Sequence, residues 1–304
     1  MKKAFTLIEL LVVVGILGVL MAALVVGFGD GPDQARAAVC LSNMKNLASA
    51  AQSYGMAEGY VPLAGSYENH RIVDSRTTQY WETPGWISWN SESAYGEEGI
   101  STSATASDAW NLSAYTKDDK GGYYCITNGA LWKHTSEKLS VYQCPCHTRA
   151  MKKRNLKPWW SYVMNGKFGY GYKGDKFYQM KGGKTVFEDL DRADRRLLFA
   201  ELQWEKIDGV PSPEISTSAS SRNDCILQYS ESDGNEAIGV NHKAGNDYVA
   251  HIVYADGHTE KLRVPTTMGQ SALKDLTRWL CYGEDITFQG DRYQLFDNDD
   301  ESKH

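Results

Sequence analysis

Cationic side chains are in short supply. Lys and Arg number 32 against 38 Asp and Glu, for a net charge of −6. No basic stripe is present to neutralise phosphates, which excludes nucleic acid as a partner. The one dense run, Lys152-Lys153-Arg154, reads as a solvated loop. Catalytic signatures are lacking too. With no nucleophile motif, no phosphate loop and no convincing acid pair, the chain is not expected to be an enzyme. Proline is scarce at eight residues, while Gly and Tyr are frequent. Past the N-terminal segment no long apolar run remains, and about 270 largely polar residues suffice for one large or two small domains.

What is present at the N-terminus is a single apolar segment. From Leu10 to Phe28, nineteen residues carry neither a charge nor a strong hydrogen-bonding side chain. At ~1.5 Å per residue they span most of a ~30 Å hydrocarbon core. Lys2 and Lys3 precede the run, and cationic residues stay on the cytoplasmic side. The segment therefore predicts a single pass through a membrane, with the bulk of the chain exported from the cytoplasm. A secretory signal peptide would have a shorter apolar region ending in a small-residue cleavage site. Glu9 lies near the start of the run, where an ionised carboxylate is costly and requires a partner.

Residues 2 to 9 read Lys-Lys-Ala-Phe-Thr-Leu-Ile-Glu. This resembles the processing motif of type IV prepilins and type II secretion pseudopilins. The resemblance implies cleavage between Ala4 and Phe5 by a prepilin peptidase, followed by N-methylation of Phe5. It further implies that Glu9, then the fifth mature residue, pairs with the methylated amine of its own or a neighbouring subunit during filament assembly. In a low dielectric each partner satisfies a charge that would otherwise be stranded. Ala4 departs from the family, which nearly always has Gly there. Loss of residues 1–4 removes two lysines and leaves the mature chain more acidic.

Six cysteines, Cys40, Cys125, Cys144, Cys146, Cys225 and Cys281, are available to oxidise outside the cytoplasm. An even count permits three disulfides without fixing which. Cys144-Pro145-Cys146-His147 offers two sulfurs and an imidazole that Cys125 or His134 would complete as a zinc tetrahedron. One intervening proline directs the sulfurs poorly toward a shared ion, so disulfides or buried thiols are favoured and no metal or other cofactor is expected. Residues 233–236 and 297–301 supply hard oxygens but fit no calcium loop.

The six residues from Gly27 to Pro32 interrupt the helix with three glycines and a proline. From Asp33 a second helix is predicted, with Ala37, Leu41, Met44, Ala48 and Ala51 facing inward, Arg36, Lys45 and Asn46 outward, and Gly55 or Gly59 at its end. Strands are predicted over residues 139–144, 196–201, 236–240 and 247–254, the last joined by an Asp256-Gly257 turn to 259–264. Residues 273–280 suit a short helix. Residues 66–122 read as loops and short strands. They hold Trp81, Trp86, Trp89 and Trp110, which form a local core or, if exposed, stack on sugar rings.

A second resemblance runs along most of the chain. Prepilin-like proteins of planctomycete, verrucomicrobial and lentisphaeral bacteria carry a cysteine-containing helix segment, a Tyr-Pro-like helix exit, a Cys-Pro step, a Ser-Tyr-x-x-Asn segment and a closing His-x9-Asp-Gly hairpin. Here these correspond to residues 39–46, Tyr60 to Pro62, Cys144-Pro145, Ser161 to Asn165, and His242 leading to Asp256-Gly257. Thirteen residues separate His242 from Asp256 instead of nine. An imidazole and a carboxylate meeting across the hairpin would make a binding or catalytic pair. The plainer reading is favoured: Asp256-Gly257 is the turn, with His242 packed beside it.

The expected architecture is α+β and pilin-like. A long N-terminal helix, half transmembrane and half amphipathic, packs on an antiparallel sheet with long loop insertions. The divisions are a leader at 1–4, a transmembrane helix at 5–31, an amphipathic helix at 32–60 and an exported β-rich domain at 61–304. The function this implies is a structural subunit of a filament or a type II secretion-like pseudopilus. Its partners would be prepilin peptidase, an assembly platform, membrane lipid and copies of itself or related pilin-like subunits. The alternative is a membrane-anchored extracytoplasmic carbohydrate-binding module.

Overall fold

Two helices lead the chain in the computed structural model: α1 at Leu7–Gly27 and α2 at Gly31–Glu58. The structure describes residues 7–27, 31–64, 66–67, 85–89, 123, 126–127, 129–153, 158–168, 187–202, 225–227, 237–244, 246–283, 286–289 and 292–295. Ala4 and Phe5 lie outside them, as do Cys125, Trp81 and Trp110. The side chains of α1 are described from Leu7 to Leu17 and all are exposed, from Leu7 at 81% to Val13 at 46%. Among the described residues no helix is long and apolar enough to cross a membrane. The predicted span runs on to Phe28, beyond the side chains described.

α2 is the central packing element. Pro32 sits in its first turn, where the missing N–H costs nothing. The helix stops at Glu58 because Gly59 turns to φ +78° and returns its N–H to Gly55 O at 2.8 Å. The buried face comprises Cys40, Met44, Leu47, Ala48, Ala51 and Tyr54, whereas Ala37 and Leu41 are only half-buried. The face is therefore rotated slightly from the predicted stripe. Two contacts set that rotation: Cys40 is disulfide-bonded to Cys144, and Asn43 Nδ2 donates to Ser140 O at 2.9 Å and Gln143 O at 3.0 Å.

Beneath α2 lies a six-stranded sheet built from β3 (Tyr162–Asn165), β4 (Leu197–Glu201), β5 (Ile226–Leu227), β6 (His242–Ala244), β7 (Asp247–Tyr254) and β8 (Thr259–Val264). Short pairs formed by β1 (Ser66–Tyr67) with β2 (Ser88–Trp89) and by β9 (Ile286–Gln289) with β10 (Arg292–Leu295) stand apart from it. The sheet is mixed, because β5 runs parallel to β3 while the other pairings are antiparallel. β8 takes one edge of β7. On the other edge β4 pairs with residues 252–254 and β6 with residues 247–249. Helix α3 (Pro145–Lys153) contacts α2, and α4 (Gln270–Tyr282) meets the opposite sheet face, where Asn165 Nδ2 donates to Cys281 O at 3.1 Å.

Two predicted strands are corrected. Residues 139–142 form a 3-10 turn rather than a strand, and the Asn43 side chain takes the carbonyls of Ser140 and Gln143 in place of a neighbouring strand. The segment 236–240 shrinks to one bridge, Ile238 with Leu202, and Ile238 N donates to Thr277 Oγ1 of α4. The strands over 196–201, 247–254 and 259–264 appear as β4, β7 and β8, and the short helix over 273–280 is α4.

Trp86 is fully buried, stacks on Tyr142 at 6.0 Å, meets Phe199 edge-on at 5.0 Å and donates Nε1–H to Cys225 O. It is core, not a platform for sugar rings.

The β7–β8 turn depends on Gly257, which sits at φ +91° with Gln52 of α2 so close that an added Cβ would lie 2.9 Å from its Nε2. Gly257→Ala is expected to cost about 1 kcal/mol or more. An unchanged urea midpoint in that variant would contradict this account of the turn.

Candidate functional site

Strand alternation places Tyr162, Glu201, His251 and His242 on one sheet face. Tyr162 is the register partner of Glu201, and continuing the β4–β7 register from Ala200↔Ile252 sets Glu201 opposite His251. His242 pairs with Val249, two residues from His251 and so on its face. Where β4 gives way to β6 along β7, the carboxylate and the two imidazoles are thus brought together under α2. Tyr162 OH donates to Cys40 O at 3.4 Å, fixing which helix covers them.

A single oxygen holds both rings. His242 Nε2 donates to Glu201 Oε1 at 2.6 Å and His251 Nδ1 to the same atom at 3.2 Å, with the ring centroids 4.4 Å apart. The other oxygen, Oε2, is buried with no hydrogen-bond partner among the described residues. Cys144 Sγ lies 3.8 Å from His242 Nε2, and its disulfide to Cys40 closes the site from above. Donor atoms of Cys40, Cys144, Glu201 and His242 all lie within 4.8 Å of one another, and all four residues are buried.

The electrostatics follow from this geometry. Burial alone would raise the Glu201 pKa, but the charges of His242 and then His251 outweigh it and hold the carboxyl at about 2. Burial alone would lower the His242 pKa, but the Glu201 charge and contacts to Cys146 and Glu201 lift it to about 10. Tyr162 is pushed well above its ordinary value, first by burial and then by the Glu201 charge. The cluster is an ion pair locked in the core, one imidazolium against one carboxylate.

The residues singled out from the sequence are distributed differently. Asp256 sits in the β7–β8 turn, where its Oδ1 accepts from His258 N at 3.0 Å and pairs with His258 Nδ1 at 2.6 Å. His242 registers seven residues back along β7, about 20 Å away at ~3.3 Å per residue, so the two do not meet. Cys144 and His147 diverge: the first is in the disulfide, while His147 Nδ1 contacts Ser161 Oγ at 2.8 Å. His134 Nδ1 contacts Ser53 Oγ at 3.0 Å. Cys146 is half-buried outside the disulfide, and Cys225 and Cys281 are buried. Glu9 lies in the first turn of α1.

Sequence reasoning missed Glu201 and His251. Each is a polar residue set in an apolar strand, Leu-Leu-Phe-Ala-Glu and Tyr-Val-Ala-His-Ile-Val-Tyr, with both strands buried along their length. A charge in such a run requires a buried partner, and that is the signal that could have found them.

No curated protein and no solved structure matches the chain. Its first 25 residues match the family model of the prokaryotic N-terminal methylation motif, the prepilin-type N-terminus that prepilin peptidase processes.

Proposed function

We propose that this chain is a pilin-like structural subunit that enters a filament or a secretion pseudopilus through its N-terminal helix. The methylation motif over residues 1–25 carries the reading. Two further observations support it. The described side chains of α1 are apolar apart from Glu9, and they are exposed, which is a surface that calls for lipid or other subunits around it. In addition, α2 follows α1 in the chain, and its buried face packs on the folded domain. In this reading the helix first sits in the inner membrane with the domain outside, and then packs against neighbouring helices at the filament core. Glu9 pairs with the methylated amine of Phe5 and sets subunit register.

Mass spectrometry of the chain recovered from membranes is expected to show a mature N-terminus at Phe5 bearing one methyl group. An N-terminus at Met1, or a cut near Ala22-Ala23, would overturn the processing reading. Register is tested separately with tagged Glu9→Ala: its co-purification with untagged wild-type subunits is expected to fall to background. Undiminished association would remove Glu9 from assembly.

A further inference from the structure

The fold gathers two sulfurs, an imidazole and a carboxylate under α2, and we propose that Cys40, Cys144, His242 and Glu201 form a zinc site that the reduced chain adopts in place of its disulfide. Their donor atoms already lie within 4.8 Å of one another on four buried residues drawn from α2, the approach to α3, β6 and β4. Two thiolates, one imidazole and one carboxylate make a four-donor set of the kind zinc takes tetrahedrally.

Three details favour an ion over a chance cluster. Glu201 Oε2 has no hydrogen-bond partner among the described residues although Glu201 is 1% exposed, and a carboxylate oxygen left dry in a core is costly unless something binds it. His242 Nε2 faces Glu201 Oε1 at 2.6 Å and Cys144 Sγ at 3.8 Å, so the proton shared by nitrogen and oxygen occupies the place an ion would fill. His251 Nδ1, 3.2 Å from Oε1, provides the outer hydrogen bond that orients a ligating carboxylate. The Cα atoms of Cys40 and Cys144 are 5.1 Å apart. At that spacing side-chain rotation opens the sulfurs to the ~3.8 Å that two ~2.3 Å zinc–sulfur bonds require.

The disulfide and the ion exclude each other. Loading the oxidised chain requires a dithiol: its two S–H groups are oxidised to a cyclic disulfide, the Cys40–Cys144 bond breaks, both thiolates and His242 Nε2 bind Zn²⁺, and three protons are released, two from the dithiol and one from the His242 imidazolium. A chain that meets zinc before oxidation skips that exchange. The site lies between α2 and the sheet and is independent of the filament reading.

The test uses the full chain in detergent, reduced, freed of reductant under anaerobic conditions and titrated with Co²⁺ and then Zn²⁺. One equivalent of Co²⁺ is expected to produce thiolate-to-metal charge transfer and intense tetrahedral visible bands, which Zn²⁺ abolishes. The oxidised chain is expected to show neither. Cys146→Ser should retain the bands, the Cys40→Ser/Cys144→Ser double variant should lose them, and Glu201→Gln should weaken binding at least tenfold. Absence of thiolate bands in reduced wild-type protein, or their persistence in the double variant, overturns the site. The wild-type arm decides the matter even where a variant fails to fold.

Discussion

Glu201→Ala is expected to lower the unfolding free energy of the oxidised, metal-free protein by about 3–5 kcal/mol, the range for removing one partner of a buried ion pair. The loss comes mainly from what is left behind, since His242 stays in the core with its counter-charge gone and His251 loses the same acceptor. The pH profile identifies the cause. Glu201 is held at about 2, below its ordinary 4.5, so its contribution is present above 4.5 and is lost as pH falls through 2. His242 is raised to about 10 from 6.5, so its contribution is complete below 6.5 and is lost as pH rises through 10. The pair therefore stabilises fully only between 4.5 and 6.5. Thermal melts from about pH 2 to about pH 10 should show the wild type most stable within that window and declining on both sides of it, with the alkaline decline much reduced in Glu201→Ala. Cys146 and Tyr162 also face the pair, and Cys146→Ser and Tyr162→Phe serve as controls for its pH profile. A Glu201→Ala protein as stable as wild type near pH 5.5 would mean that the cluster contributes nothing net.

The second large effect is covalent. Cys40 and Cys144 are separated by 104 residues in sequence, and the chain-entropy account gives a cross-link closing a loop of that order about 4.7 kcal/mol. Cys40→Ser should lower the melting temperature by on the order of 10 °C, while Cys146→Ser leaves it nearly unchanged. Equal stability of the Cys40→Ser and wild-type proteins would show that the α2–sheet interface holds without its staple. The same variant bears on the zinc site: added Zn²⁺ should restore stability to reduced wild type but not to Cys40→Ser.

Legibility from sequence followed the range of the interaction. The methylation motif is a contiguous string, and it is read directly. β7 and β8 were legible because an apolar run, an Asp-Gly turn and a half-exposed strand follow one another within eighteen residues, from Asp247 to Val264. The outline of α2 was legible as well, but not its exact rotation, which is set by Cys40 and Asn43 reaching partners about a hundred residues away. Residues 139–144 alternate as a strand would, yet Asn43 claims their carbonyls. The buried cluster was the least legible part. Its members come from four segments and meet only through the register at which β4 and β6 share one edge of β7.

In the proposed filament, the Cys40–Cys144 bond would also decide where mechanical load goes. Tension arriving from α1 enters α2 and reaches Cys40 within its first ten residues. There it crosses by a covalent bond to the start of α3 and onward to the sheet, bypassing most of the intervening chain. The residues between the two cysteines that lie beyond α2 are therefore off the load path. Between its packed segments, such as the one that buries Trp86, that stretch can change in length without altering how the domain is pulled.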